Sequence, residues 1–550
     1  TDADKNVAIG YAALSADTQG SRSTAVGYSA LATQNFSSAT DSHNTAVGNE
    51  AGTLLTTGQF NTLIGSESGD ALTSGGYNTA VGVRALSTED GHGNNTAVGY
   101  ETLRDLNAGA DGNNVAVGNI AGRSMTTGID NVIIGGQAGD ALTDADYNVA
   151  IGKVALSSDT KGSKSVAIGN GALFTQNFTS STDSHNTAVG FDAGGAVTTG
   201  IQNTLIGSRA GDAFTDADYN VALGYASLSG DTKGSRSTAI GYGTLVNQNF
   251  TSATDTYNVA VGYYAGVSIT TGQYNTFIGS NAGGANTSGT RNTVVGYNAL
   301  DAYTGTGTSE NTAVGFESGG ALTSGTLNTF VGGQSGFSMT TGSKNTLIGR
   351  FNGNDDFDMR TLNNHVVLSD GDGNVRGRHN STTWRWAADA FGNALEYDGA
   401  EFYPLTDNAD KLGFPSNRWT VVYATTGTIN TSDENLKQDI ESLSDAELRV
   451  ATKIKGLIKK YRWKDAVVAK GDNARIHVGA IAQEVEQAFI DESLDADKYA
   501  IFCKDEWYEV DGKASEDLLN PFTSKTENAV KVTRLGLRYD QLLAFVIATL

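Results

Sequence analysis

The chain has little of several residue types that mark familiar classes. Among 550 residues there are 3 prolines and 1 cysteine. A lone thiol, Cys503, rules out a disulfide framework within the chain and any four-cysteine zinc site. Charged residues are 18% of the whole, and 37 basic against 60 acidic side chains leave a formal charge of −23. That balance disfavours nucleic acid and anionic membrane surfaces as partners. No apolar run approaches the ~18 residues of a membrane span; the longest is Leu542 to Ala548, so no membrane insertion is expected. The 69 glycines and 3 prolines together make about 13% of the chain, below the roughly 25% of low-complexity disorder. The opening Thr1-Asp2-Ala3-Asp4-Lys5 shows no basic-plus-apolar leader.

What is present is repetition. The phrase Asn-Thr/Val-x-Val/Ile/Leu-Gly begins at Asn6, Asn44, Asn61, Asn78, Asn95, Asn114, Asn131, Asn148, Asn186, Asn203, Asn220, Asn258, Asn275, Asn292, Asn311, Asn328 and Asn345, with Ser23, Ser165 and Ser237 in the same slot. Most steps are 17 residues and the rest 19 or 21, which reads as loop insertion. A longer period of 72 residues separates Asn6 from Asn78, Asn148 from Asn220 and Asn220 from Asn292, so four-turn blocks have been duplicated. The first residues match those leading to Asn148, which predicts a fragment cut from a longer array.

Seventeen residues cannot enclose a core, but stacked copies can pair backbone groups above and below at ~4.8 Å. A rod roughly 95 Å long is expected from twenty such turns, with the Val, Ile and Ala positions lined up inside. The repeated Asn is read as a ladder of side-chain amides bonded from coil to coil at a tight turn, and the Gly after it as a position of positive φ or close approach. Gly305-Thr306-Gly307 lacks the ending of a phosphate loop. The asparagine-led units are similar to the head repeats of trimeric autotransporter adhesins and to arrays in phage tail fibres, a likeness covering about Asn6 to Gly349. It implies a parallel β-roll. Because a single thin coil buries little, chains are expected to associate through the Leu and aromatic side, as a trimer.

Near residue 430 the composition changes. From Ser432 to Leu550 there are 17 basic and 22 acidic residues but only 5 of the 69 glycines. Apolar residues from Leu436 to Ile458, from Ile481 to Phe489 and from Leu537 to Leu550 fall near helical spacing, giving a small α+β module ending in helices. The fold class is therefore mainly β, and three regions are expected: a roll over 1–349, an aromatic-rich cap or tip over 350–431, and the module over 432–550. Region 350–431 holds Trp384, Trp386, Trp419, Pro404 and Pro415. Its aromatics are read as capping the roll's open edge, with a ligand-contacting tip as the rival.

Asn430-Thr431-Ser432-Asp433-Glu434-Asn435-Leu436-Lys437-Gln438-Asp439-Ile440 resembles the opening of the peptidase S74 domain, an intramolecular chaperone of phage tail fibres and tailspikes. His477 to Val485 and Tyr539 to Ala544 resemble later stretches of it, with Phe402-Tyr403-Pro404 and Arg418-Trp419 upstream. The resemblance implies that the domain aligns three chains and then cuts itself away between Thr431 and Ser432, with Ser432 as nucleophile and Lys437 as its partner. A lysine can take the serine proton only if burial lowers its pKa from ~10.4 toward neutrality. Without that likeness, Ser432 before Asp433 and Glu434 is an ordinary helix N-cap.

His477 is read as a hydrogen-bonded core histidine, Cys503 as buried filler, and His43 and His185, replaced by Tyr257 in the third copy, as no metal site. No cofactor or metal is expected. The reading is a homotrimeric phage tail fibre, made in the host cytoplasm and carried on the virion, contacting other tail proteins and a host-surface receptor. A bacterial adhesin head and a polysaccharide-degrading tailspike are the alternatives.

Overall fold

The computed structural model describes residues 3–387, 394–404, 438–510, 513–514 and 530–550. The chain divides into two compact units, Thr1–Asn408 and Ala409–Leu550.

The first unit is a solenoid with twenty-one short parallel rungs, from Val7–Ile9 to Val366–Ser369, each paired with the rung of the turn before and the turn after. Pairing is in step: Thr45, Ala46 and Val47 lie beside Thr62, Leu63 and Ile64, which lie beside Thr79, Ala80 and Val81. A three-residue strand alternates out, in, out. The middle residue is buried in every rung but the first, and the third is never buried. The expectation that both apolar strand positions face inward is thus corrected: Ala46 and Leu63 fill the core, while Val47 and Ile64 lie on the outside.

The amide ladder is present as expected. Asn203 Nδ2 donates to Ala217 O at 2.7 Å and its Oδ1 accepts from the Asn220 backbone N–H at 3.0 Å, with both side chains fully buried. Where Ser165 interrupts the column, Gln176 substitutes: its Nε2 donates to Ser165 Oγ at 3.0 Å and its Oε1 accepts from Asn186 at 2.8 Å. Buried Asp159 takes the other Gln176 amide hydrogen at 2.6 Å and the Gly162 and Phe178 N–H groups at 3.0 and 3.1 Å. Asp17 with Gln34 and Asp231 with Gln248 repeat this arrangement.

Each turn is bent by left-handed residues. The residue before every ladder Asn or Ser has positive φ, from Lys5 to Lys344. A further corner is either Leu, as at Leu31 and Leu245, or Gly, as at Gly52 and Gly266. A left-handed Leu costs roughly 1–2 kcal/mol, offset by the ~1.5–3 kcal/mol gained on burying it. Gly stands in the turns on either side of a rung with a large inward residue: a Cβ on Gly266 would lie 2.8 Å from both Leu245 Cδ2 and Phe277 Cδ2. Leu31, Leu86, Leu156, Leu228 and Leu300 are fully buried within their own chain, so the Leu side expected to join chains is interior. The aromatics are the exposed part, stacking from turn to turn as in Tyr225, Tyr242 and Tyr263.

The ladder runs one rung past Gly349. In the rung Val366–Ser369, His365 takes the Asn slot and its backbone N–H donates to Asn345 Oδ1 at 2.9 Å. The parallel series then ends, because Val375–His379 pairs antiparallel with that rung, followed by Trp384–Ala387, Ala394–Tyr397 and Phe402–Pro404. The edge is covered by backbone pairing. Trp384 and Trp386 stack at 5.7 Å, and Trp386 remains 45% exposed, so the tryptophans do not seal the end by burial.

The second unit contains helices α1 (Asp445–Lys455), α2 (Lys464–Lys470), α3 (Ala482–Asp491) and α4 (Tyr539–Ile547). Among the described residues it also holds an antiparallel pair, Lys459–Tyr461 with His477–Gly479, and a three-stranded antiparallel sheet in which Phe502–Val510 lies between Lys513–Ala514 and Val530–Leu537. Val450, Ile454, Val485, Phe489, Leu542 and Phe545 form its core. No helix among the described residues is long and apolar enough to cross a membrane.

Candidate functional site

Thr431, Ser432 and Lys437 lie outside the described residues. The surroundings that are described show what the neighbouring motifs build. Helix α1 starts at a reciprocal cap, in which the Ser444 N–H and hydroxyl donate to Glu447 Oε2 at 2.6 and 2.7 Å and the Glu447 N–H donates to Ser444 Oγ at 3.3 Å. The other Glu447 oxygen accepts from Tyr499 Oη at 2.7 Å. Those bonds hold the carboxyl below its ordinary range, while burial, with Glu447 adding to it, pushes the Tyr499 phenol up to about 12.

The two later motifs meet. Tyr539 Oη, at the start of α4, donates to Ala480 O at 3.3 Å, and it lies so close to Gly479 that a Cβ there would sit 2.2 Å from the phenol oxygen. Glycine at 479 is therefore what lets the closing helix reach the strand before α3. Burial raises the Tyr539 phenol above its ordinary value. Gln541, Ala544 and Phe545 line a cleft of about 300 Å³ with Leu443, Tyr499, Ala500 and Ile501. Across α1 and α3, Glu492 accepts from Arg449 at 2.8 Å and Lys453 at 2.7 Å, and Lys459 pairs with Glu484.

His477 is corrected from the expected core position. It is exposed, its ring stacked on Tyr461 at 5.8 Å. Cys503 is half-buried. In the shaft, Glu89, Asp90 and His92 come within mutual reach of one another. Glu89 is already occupied, accepting the His92 and Ala108 N–H groups at 3.2 Å each, as buried acids do elsewhere in its column.

Among the described residues, five acids of the shaft, Asp70, Asp140, Asp212, Asp218 and Asp301, are held up, chiefly by burial. Asp70 and Asp212 are pushed to about 6, chiefly by burial, with Glu67 and Glu50 adding to the first and Asp192 to the second. In the antiparallel meander the acids are instead held down or paired. Asp370 is lowered to about 2, by the Arg376 guanidinium and Asn374, Asp398 is lowered by the Glu401 and Ala400 N–H groups, and Glu396 pairs with Arg385. These acids cap turns and pair strands.

Sequence comparison then classifies the two ends of this region. Residues 432–494 match the peptidase S74 family model, described as the chaperone of endosialidase. Residues 369–431 match the model described as the catalytic domain of bacteriophage endosialidase. The chain thus carries an intramolecular chaperone of the phage tail-fibre and tail-spike kind at its C-terminal end. It is 36% identical over 125 residues to the side tail fibre protein pb1 of Escherichia phage T5, covering 23% of this chain and 8% of that one. It is 30% identical over 175 residues to the tail spike protein of Escherichia virus K5, covering 31% and 24%. A solved structure of the carboxy-terminal domain of the bacteriophage T5 L-shaped tail fibre with its intramolecular chaperone domain is 26% identical, covering 32% of this chain and 47% of that one, with a TM-score of 0.22. The chain therefore spans less than a quarter of the length of those curated relatives.

Proposed function

We propose that the chain is a homotrimeric tail-fibre shaft whose C-terminal module aligns three copies during folding and then releases itself by cutting between Thr431 and Ser432. The observation that carries the cut is the meeting of two family matches at that bond, one ending at residue 431 and the other beginning at 432. The Ser432 hydroxyl, its proton taken by Lys437, attacks the Thr431 carbonyl; the C–N bond breaks as the Ser432 amine leaves with a proton, and water then hydrolyses the ester between Thr431 and Ser432 Oγ to free the two fragments. Proximity within one chain supplies much of the rate. The reaction is a single turnover on the chain itself, with no outside substrate.

Trimer formation is supported by the shaft's surface. The third strand position is Val, Ile or Leu in all twenty-one rungs and never buried, which leaves on the order of 1,000 Å² of aliphatic surface in a continuous stripe. Soluble monomers rarely show more than a few hundred Å². The assembled shaft then serves the virion by contacting other tail proteins and a host-surface receptor.

Intact-mass measurement of the purified protein tests the cut. The wild type is expected to yield a fragment beginning at Ser432, while Ser432→Ala and Lys437→Ala stay full length. A wild type that stays whole, or variants that split like it, rejects this reading. A polysaccharide-degrading tail spike is the second reading, favoured by the endosialidase match over 369–431. A glycosidase needs one carboxyl held up as proton donor, and the described meander acids with shifted values are held down. Release of reducing ends from capsular polysaccharide would favour that second reading.

A further inference from the structure

The aliphatic stripe needs cover, and it recurs at every rung spacing of ~4.8 Å. A partner that matches it along the whole rod must present side chains at the same spacing, as another copy of this chain does. The stripe is nonetheless uniform. Sliding one copy by a single rung places Val47 where Ile64 stood, an exchange worth about one methylene. Register information must come from what differs between rungs.

Those differences follow a cycle of four rungs. The long turns begin at Thr24, Thr96, Val166 and Thr238, each four rungs after the last. The residue before the ladder slot is a cation at Arg22, Lys164 and Arg236, and each pairs across the insertion, with Asp41 at 2.9 Å, Asp183 at 2.6 Å and Asp255 at 2.9 Å. Each 21-residue turn forms an extra strand, Thr40–Asp41, Thr182–Asp183 or Thr254–Asp255, that pairs with Gly20–Ser21, Gly162–Ser163 or Gly234–Ser235 of the turn before. The cycle then shortens: the next long turns begin at Thr293 and Thr346, each three rungs after the last, and before Thr293 buried Asn286 stands where Asp17, Glu89, Asp159 and Asp231 stand in the preceding blocks, with buried Tyr303 in the slot of Gln34, Leu106, Gln176 and Gln248.

We infer that the shaft specifies the alignment of its copies only in steps of four rungs, about 19 Å, and that the shortened cycle beyond Thr238 together with the chaperone module selects among those steps. A slip of one or two rungs sets every long turn against a short one, and a slip of three re-seats only those at Thr293 and Thr346. A slip of four re-seats those at Thr96, Val166 and Thr238 and leaves seventeen of the twenty-one rungs overlapped. This rests on the homotrimer reading. It gives the module a specific task, which is to exclude discrete, nearly equivalent alignments.

The test uses the full chain carrying Cys503→Ser and a spin label at Ser252→Cys, an exposed loop position. Native mass spectrometry reports stoichiometry, and pulsed dipolar spectroscopy reports distances between copies. With the intact module a single set of distances is expected. With the module's core weakened by Phe489→Ala, an added population offset axially by about 19 Å is expected, without populations at about 5 or 10 Å. Should that variant remain monomeric, melting and re-cooling the assembled wild type gives the same readout. One unchanged distance set, or offsets at every rung, overturns the inference. Absence of a trimer mass in the wild type overturns the homotrimer reading instead.

Discussion

The two units invert each other. In the module, Val450, Ile454, Val485 and Phe489 are inside, and ion pairs such as Arg449 with Glu492 are outside. In the shaft a column of amides and carboxyls runs through the interior, while an aliphatic stripe lies on the surface. The module's core is a unique jigsaw that can occur once. The shaft's core is a local code that can be repeated without limit but cannot count its own turns. A chain needing both length and alignment gains from having one of each.

The contrast is most sharply broken at glycine. Gly65 has φ +138°, and a Cβ there would lie 2.3 Å from Gly82 O, which belongs to backbone and cannot move aside. Gly65→Ala is expected to destabilise the shaft by more than about 4 kcal/mol, read as loss of its thermal unfolding transition. In the module, Gly456 already sits in the right-handed helical region at φ −80°. Gly456→Ala should change stability by less than about 1 kcal/mol.

Next comes the polar interior. Asn203→Ala leaves the Asn220 N–H and Ala217 O unpaired in a buried setting, at about 1–3 kcal/mol for each group. The module's Tyr499→Phe, which loses one bond to Glu447, is expected to cost about 1 kcal/mol in denaturant titration.

Acid should act on the units in opposite senses. Asp70 and Asp212 titrate near 6 when folded, against an ordinary value of 3.8. The folded shaft binds more protons between those values, so its stability rises as pH falls through that window and is level on either side. Asp70→Asn with Asp212→Asn should make the profile shallower, leaving the part that comes from Asp140, Asp218 and Asp301. Glu447 and Glu492 of the module are held below their ordinary value, so their contribution is present above it and is lost as pH falls through the folded value. Thermal unfolding at pH 7, 5 and 3 separates the two trends. The smallest effect is expected from Arg449→Ala, where an exposed pair is worth at most about 1 kcal/mol.

Much of the shaft was legible because its signal is written twenty times over. The amide ladder and turn spacing follow from the Asn phrase alone. Hydrophobicity could not say which of Ala46 and Val47 faces inward, since both are apolar and three residues are too few to show a period. Nor could it place Leu31 inside, because the left-handed corners that fold it back leave no mark in an apolar pattern. The rung at Val366–Ser369 was missed because His365 uses its backbone where others use a side chain as well. In the module, helices α3 and α4 were visible from spacing. The meeting of Tyr539 with Gly479 was not, since it joins segments sixty residues apart through one absent methyl group. Ser432 and Lys437 rest on the motif they match, with the described residues starting just beyond them.

The bonds between rungs, such as Thr204 N–H to Asn220 O at 2.8 Å, run along the rod rather than across it. Tension applied end to end therefore loads them in series, and the weakest turn peels first without relieving its neighbours. Pulled singly, the shaft should lengthen turn by turn, by roughly 50 Å for a short turn and somewhat more for a long one, a mechanical fuse that yields by degrees instead of snapping.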